Sequence, residues 1–152
     1  MGKHRDLDLV DKIARDIIAR QKIRLVLDEF KYIRIVSDGT DPLPRERNVT
    51  ASVQDLREMV WDVVIAKIKR LRSRTLGQIV ATGSGHFFER ENDHTTLHMV
   101  HEGGTRGWHH HSLMSGRKWL EMLAATTLVA RMWDLLKAEL DARTADELVG
   151  AR

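Results

Sequence analysis

The stretch from about Gly116 to Leu140 limits the folds open to this chain more than any other. Met122, Ala125, Thr126, Val129, Met132, Trp133, Leu136 and Leu140 fall on one helical face, and Leu120, Leu123, Leu128 and Leu135 spread apolar surface further round the cylinder. A helix of this kind needs cover on several sides, from its own domain or from a neighbouring subunit. Glu121, Arg131 and Asp134 interrupt the run, so it does not read as a membrane span.

The rest of the chain has to supply that cover. With 152 residues it fits a single domain, 1–152, and a domain of that size buries about 70% of its unfolded surface. Within it the sequence reads as a helical segment over 1–36, a proline-containing arm over 37–51, a helix–strands–helix core over 52–140 and a tail over 141–152. The first helix covers residues 6 to about 20: Val10, Ile13, Ala14, Ile17 and Ile18 recur at helical spacing, and Asp8/Lys12, Asp11/Arg15 and Asp16/Arg20 set acid before base at i,i+4. This helix continues through Leu25 and Leu27 on one reading, and a short strand is expected at 32–36. Both prolines and Gly39 make 37–48 a loop.

Ser52-Val53-Gln54-Asp55 has the S-x-x-D/E form that caps a helix start, and an apolar face from Val53 to Leu71 carries that helix to about Ser73. From Gln78 onward the period shifts toward two. Residues 78–82, 86–90 and 95–101 read as three strands of an antiparallel meander; the alternative is a segment that takes shape only against a partner. Thr144-Ala145-Asp146-Glu147 resembles a capping box for a frayed terminal turn. The fold class expected is therefore α+β, with long helices flanking a small antiparallel sheet and a long apolar C-terminal helix.

Between Leu97 and Trp119 lie five of the eight histidines, four of the ten glycines and two of the four tryptophans. Glycines let the backbone take positive φ or approach another surface closely, and long irregular connections in small domains tend to be functional. This stretch reads as such a connection, a contact-making loop.

Several chemistries fail on their residue patterns. The absence of cysteine removes disulfide scaffolds, thiolate zinc sites and cysteine nucleophiles, and the N-terminus lacks the apolar core of a secretion signal. His98 and His101 face opposite ways on a strand, no H-E-x-x-H occurs, and the histidines read instead as a wet or partner-facing cluster that gains charge below pH ~6.5. No metal ligand is assigned. His94-Thr95-Thr96 and His110-His111-Ser112 resemble paired H-x-T/S motifs only superficially, lying too close in the chain to face each other across a cleft. No phosphate loop follows Gly83-Ser84-Gly85, and no G-x-S-x-G elbow exists. The chain reads as a non-enzyme with no catalytic residue and no cofactor.

Charge is the one remaining signal. The net charge is +3, from 25 basic and 22 acidic residues, and Lys67, Lys69, Arg70, Arg72 and Arg74 form one cluster. The plain reading is cations offsetting the dipole at a helix C-terminus. The sharper one is a set of phosphate contacts.

The order of elements carries a resemblance across roughly Ser52 to Leu140. A long helix ends near Arg74-Thr75-Leu76-Gly77-Gln78-Ile79. Short strands lead to Val100-His101-Glu102-Gly103-Gly104-Thr105-Arg106, and Gly116-Arg117-Lys118-Trp119-Leu120-Glu121 enters a closing helix. This resembles the small neck and tail-completion proteins of long-tailed bacteriophages, although the closing loop lacks that family's usual proline and the N-terminal helix and arm are additional. The resemblance implies a non-catalytic virion protein, assembled in the bacterial host cytoplasm. It would form a ring with itself and with neighbouring virion proteins, with non-specific DNA contact and no membrane. Gly103, Gly104, Thr105, Arg106, Trp108, His109 and Trp119 are the interface residues expected. The competing readings are a small basic nucleic-acid-binding or regulatory protein and, further off, a histidine-dependent metal hydrolase.

Overall fold

A computed structural model describes residues 2–37, 49–82, 86–91, 94–101, 104–111 and 116–150. In chain order the elements are α1 (Gly2–Gln21), β1 (Ile23–Leu27), β2 (Ile33–Ser37), α2 (Val53–Lys69), α3 (Ser73–Thr82), β3 (His86–Glu91), β4 (His94–His101), β5 (Gly104–His111) and α4 (Gly116–Gly150). The class is α+β, as the patterning predicts. One antiparallel sheet is the β1–β2 hairpin and the other runs in the order β3-β4-β5.

The closing helix is the axis of the helical body. α1, α2, α3 and β1 all pack against α4, burying Trp119, Leu123, Ala124, Ala125, Leu128, Val129, Met132, Leu136 and Leu140. Those positions spread beyond a single stripe, so the helix is covered from more than one direction. Met122, which the periodicity assigns to the inner face, is exposed. The helix also runs straight through the expected terminal cap. Thr144 Oγ1 donates to the Leu140 carbonyl at 2.9 Å, bonding back within the helix where the capping-box reading has it start a new turn.

Three arginines fasten α4 to three different elements. Near its start Arg117 reaches the α2–α3 connection, with Nη1 donating to Ser73 Oγ at 3.0 Å. In the middle Arg131 grips Asp11 of α1 with both Nε and Nη2, at 2.5 and 3.0 Å. Towards the end Arg143 Nη2 donates to the Leu25 carbonyl of β1 at 2.5 Å. At about 1.5 Å of rise per residue these anchors stand roughly 20 Å apart along the axis. Asp11 thus looks across to α4, where the i,i+4 rule offered Arg15; the Asp16–Arg20 pair does form, at 3.1 Å.

α1 buries Val10, Ile13, Ala14 and Ile17, four of the five positions its periodicity marks; the fifth, Ile18, is half-buried. It does not continue through Leu25. Lys22 takes a positive φ of 50°, which ends the helix, and Ile23–Leu27 pairs with Ile33–Ser37 in the register Ile23↔Ser37 to Leu27↔Ile33. The alternation of β1 puts Ile23 and Leu25 into the core. Asp28 holds the turn: its carboxylate accepts from the N–H groups of Phe30 and Tyr32 and from Arg34 Nε, at 2.8 to 3.0 Å. Burial pushes this carboxyl up, but those donors together outweigh it and hold it below the usual carboxylate range. The proline arm falls mostly outside the described residues. On its far side Ala51 N–H donates to the Ile33 carbonyl at 2.9 Å, and Asp55 accepts the Ser52 N–H at 2.7 Å to start α2.

Two expectations are corrected here. α2 stops at Lys69, short of Ser73, and residues 78–82 are helix, belonging to α3. Leu76, Ile79 and Val80 are all buried, the i, i+3, i+4 set of a helix face. The meander consequently lies one strand later than the sequence suggests. Its third strand is Gly104–His111, inside the stretch read as an irregular connection. Extended glycine-containing chain paired at Val100↔Thr105 and Leu97↔Trp108 needs no unusual backbone, so the loop reading fails there. The meander meets the helical body where β3 touches α3.

Two measurements check this account. Gly77 lies inside α3 with open space where a Cβ would be, so Gly77→Ala should stabilise the protein by about 0.5–1 kcal/mol in urea unfolding; a loss of stability would return 78–82 to a strand or turn. The hydrogen bonds and charge of Arg131 hold the Asp11 carboxyl below its ordinary 3.8, against the opposing effect of burial. A carboxylate lowered on folding contributes stability that is fully present above the unfolded value and is lost as pH falls through the folded one. Urea midpoints between pH 7 and 2.5 should therefore drop below about pH 4, and Asp11→Asn should give a shallower acid limb. An unchanged acid limb in that variant would deny the pair its role.

Candidate functional site

The corner between α2 and α3 concentrates exposed charge. Between Asp62 and Glu89 the chain contains Lys67, Lys69, Arg70, Arg72 and Arg74 and no Asp or Glu. α2 ends with Arg70 in a right-handed helical conformation (φ −85°, ψ −10°). The Arg70 and Leu71 N–H groups tighten the last turn onto the Lys67 and Ile68 carbonyls, at 3.2 and 2.9 Å. Leu71 is half-buried, α3 begins at Ser73, and Leu76 N–H bonds the Arg72 carbonyl at 3.0 Å. Ile68 and Leu76 sink into the core on either side of the bend. The bend therefore leaves Lys69, Arg70, Arg72 and Arg74 exposed and Lys67 half-buried.

What holds the corner is supplied by α4. Arg117 Nη2 donates to the carbonyls of Leu71, at 2.6 Å, and Lys69, at 3.3 Å. Nη1 takes Ser73 Oγ at 3.0 Å, and Nε pairs with Glu121 at 3.0 Å. A planar guanidinium has five donors in a fixed fork, and this one spans the end of one helix, the start of the next and a carboxylate on its own helix. The carbonyls it occupies belong to the negative end of α2. That is the task the plain reading gave to the basic run; Lys67 and Lys69 do lie in the last turn of α2, and Arg117 adds direct hydrogen bonds to that end. Nothing local in the sequence marks Arg117 for it, because the partners lie more than forty residues upstream.

Most of the residues expected at an interface fall on one strand. Gly104, Thr105, Arg106, Trp108 and His109 all belong to β5, at register positions opposite His101, Val100, Met99, Leu97 and Thr96 of β4. Gly103 lies outside the described residues. Trp119 is a correction: only 4% exposed, it is a core residue of α4 and not a contact surface, because the helix entry it marks is pressed onto the body by its neighbour Arg117. Among the described residues no group of three or more His, Asp or Glu side chains is placed to hold a metal ion. No helix among them is long and apolar enough to cross a membrane.

A shallow groove of about 630 Å³ runs between the end of α1, β1 and α4, lined by Ile18, Ala19, Lys22, Ile23, Arg24, Val36 and Glu139. Its ionisable side chains are Lys22, Arg24 and Glu139.

No protein-family model, curated protein or solved structure matches the chain.

Arg117→Ala should cost about 1–3 kcal/mol in urea unfolding, since it removes charge-assisted bonds and leaves the little-exposed Glu121 carboxylate without this partner. Arg117→Lys should recover only a minor part, because an ammonium cannot span the fork. Full recovery by lysine would reduce the clamp to a simple point charge.

Proposed function

We propose that this protein is a non-catalytic building block that associates with its own copies into a ring, and that the ring belongs to the head–tail junction or tail end of a long-tailed bacteriophage. The observation that carries the reading is the position of β5. It is the last strand of its sheet, paired on one side with β4, and it contains five of the residues singled out as contacts, Gly104, Thr105, Arg106, Trp108 and His109. An edge strand is a template for pairing with another chain, and head-to-tail pairing closes into a ring when the rotation between copies permits.

The body adds apolar surface of its own. Leu27 and Phe30 are exposed at the turn end of the β1–β2 hairpin, Phe30 at 68%. Val49 is exposed as well, its carbonyl accepting from Arg34 Nη1 of β2 at 2.6 Å. Large apolar side chains gathered on a surface favour contact with another protein. The phage assignment rests on the resemblance in element order from Ser52 to Leu140, and with it come the expected partners, neighbouring virion proteins, and assembly in the host cytoplasm.

Size-exclusion chromatography with light scattering tests the assembly directly. The expected result is a mass several times the 17.5 kDa of one chain, rising with concentration, with rings visible by negative-stain microscopy. Trp108→Ala and Arg106→Ala should shift the mass towards the monomer while circular dichroism stays unchanged. A monomer at every concentration, or unfolding of both variants, would defeat the proposal.

A further inference from the structure

We propose that the α2–α3 corner is a binding surface for the phosphate backbone of duplex nucleic acid, read without regard to base sequence. The surface does not depend on ring assembly, since a single chain carries all of it.

The first argument is an excess of uncommitted charge. Elsewhere on the body, five cations have acidic partners: Arg20 with Asp16, Arg34 with Asp28, Arg117 with Glu121, Arg131 with Asp11 and Lys137 with Asp141. Lys67, Lys69, Arg70, Arg72 and Arg74 are different. Among the described residues none of them forms an ion pair or a side-chain hydrogen bond. The ordinary reason for cations at a helix end applies to Lys67 and Lys69, in the last turn of α2, but not to Arg74, which lies in the first turn of α3, where the dipole is positive. Helix-end electrostatics therefore leave Arg72 and Arg74, beside the start of α3, without a structural task.

The second argument is the shape and chemistry of the surface. The bend divides the charges between the last turn of α2 and the first turn of α3, and the positive end of the α3 dipole opens among them. Like charges held this close repel one another unless counterions gather, and a polyphosphate that displaces those counterions gains their entropy of release. The run from Lys67 to Arg74 contains no Asn, Gln or aromatic residue; it can hold phosphates but lacks the amide and stacking groups that commonly read bases. An acidic protein fits the surface less well. Protein interfaces are anchored by buried apolar and aromatic side chains, and none of the exposed large hydrophobic residues among those described falls between Lys67 and Thr82.

Fluorescence anisotropy of the full chain with a labelled DNA duplex of about 30 base pairs and arbitrary sequence tests the proposal between 50 and 200 mM salt. For roughly four phosphate contacts the plot of log K against log salt should have a slope of about −3 to −4. The triple variant R70A/R72A/R74A should lose roughly 100- to 1000-fold in affinity at 0.1 M salt and flatten the slope by about 3. R70K/R72K/R74K should keep most of both. K12A/R20A/R24A, which removes the same charge from exposed positions on α1 and β1, should leave the slope near that of the parent. Circular dichroism and light scattering in the same buffers separate lost binding from lost folding or assembly. The proposal is overturned by a corner variant that binds no more weakly than the control variant. It is equally overturned by a hundredfold preference for one sequence, or by polyglutamate competing as well as unlabelled duplex at equal charge.

Discussion

The burial of one long helix on several sides is the constraint that the described body obeys. α4 has too much apolar surface for a single packing partner, so α1, α2, α3 and β1 are drawn onto it in turn. Apolar contact alone does not say where along a 35-residue rod each partner should sit. Arg117, Arg131 and Arg143 do, each reaching polar groups on a different element. Burial supplies the drive, being non-directional; the guanidinium forks supply position, because their bonds are directional and fail when the partner slides.

The clamp nearest the start of α4 links the packing to surface chemistry. Where α2 breaks into α3, peptide carbonyls are left without helical partners and need donors. The donor comes from α4, so Lys69, Arg70, Arg72 and Arg74 stay exposed at the corner, and none of them forms an ion pair among the described residues. The meander is a separate device. It leaves the body between α3 and α4 and ends in an edge strand rich in glycine, histidine and one tryptophan, suited to contact with another chain. Proposed assembly and proposed phosphate contact thus fall on different parts of the molecule.

Much of this was legible in the residues. The amphipathic face of α1, the capping of α2 by Ser52 and Asp55, the strand expected at 32–36 and the burial of the closing helix follow from periodicity and local hydrogen bonding, which need no distant partner. The errors cluster where a short apolar run satisfies two periods at once. Ile79-Val80-Ala81-Thr82 has the β-branched composition of a strand, yet with Leu76 it also presents a helix face, and packing against α4 and α1 selects the helix. Misreading that segment displaced the meander by one strand and left Gly104–His111 looking like a loop. Trp119 was misjudged for a similar reason, since a tryptophan beside a glycine-rich stretch looks available for contact until the helix it begins is seen pressed into the core.

By itself the sequence determined the class of the fold, the helix that had to be covered, a strand soon after the first helix and the existence of an unusually basic run. Those depend on composition and on spacing within a dozen residues. Only the tertiary structure decided that α2 gives way to α3 at Arg70 to Arg72, that Asp11 pairs across the body with Arg131, and that Arg117 clamps the corner beside the basic run. Each of these joins groups far apart in the chain, and an arginine on a helix surface looks the same in sequence whether it meets water or a carbonyl forty residues away.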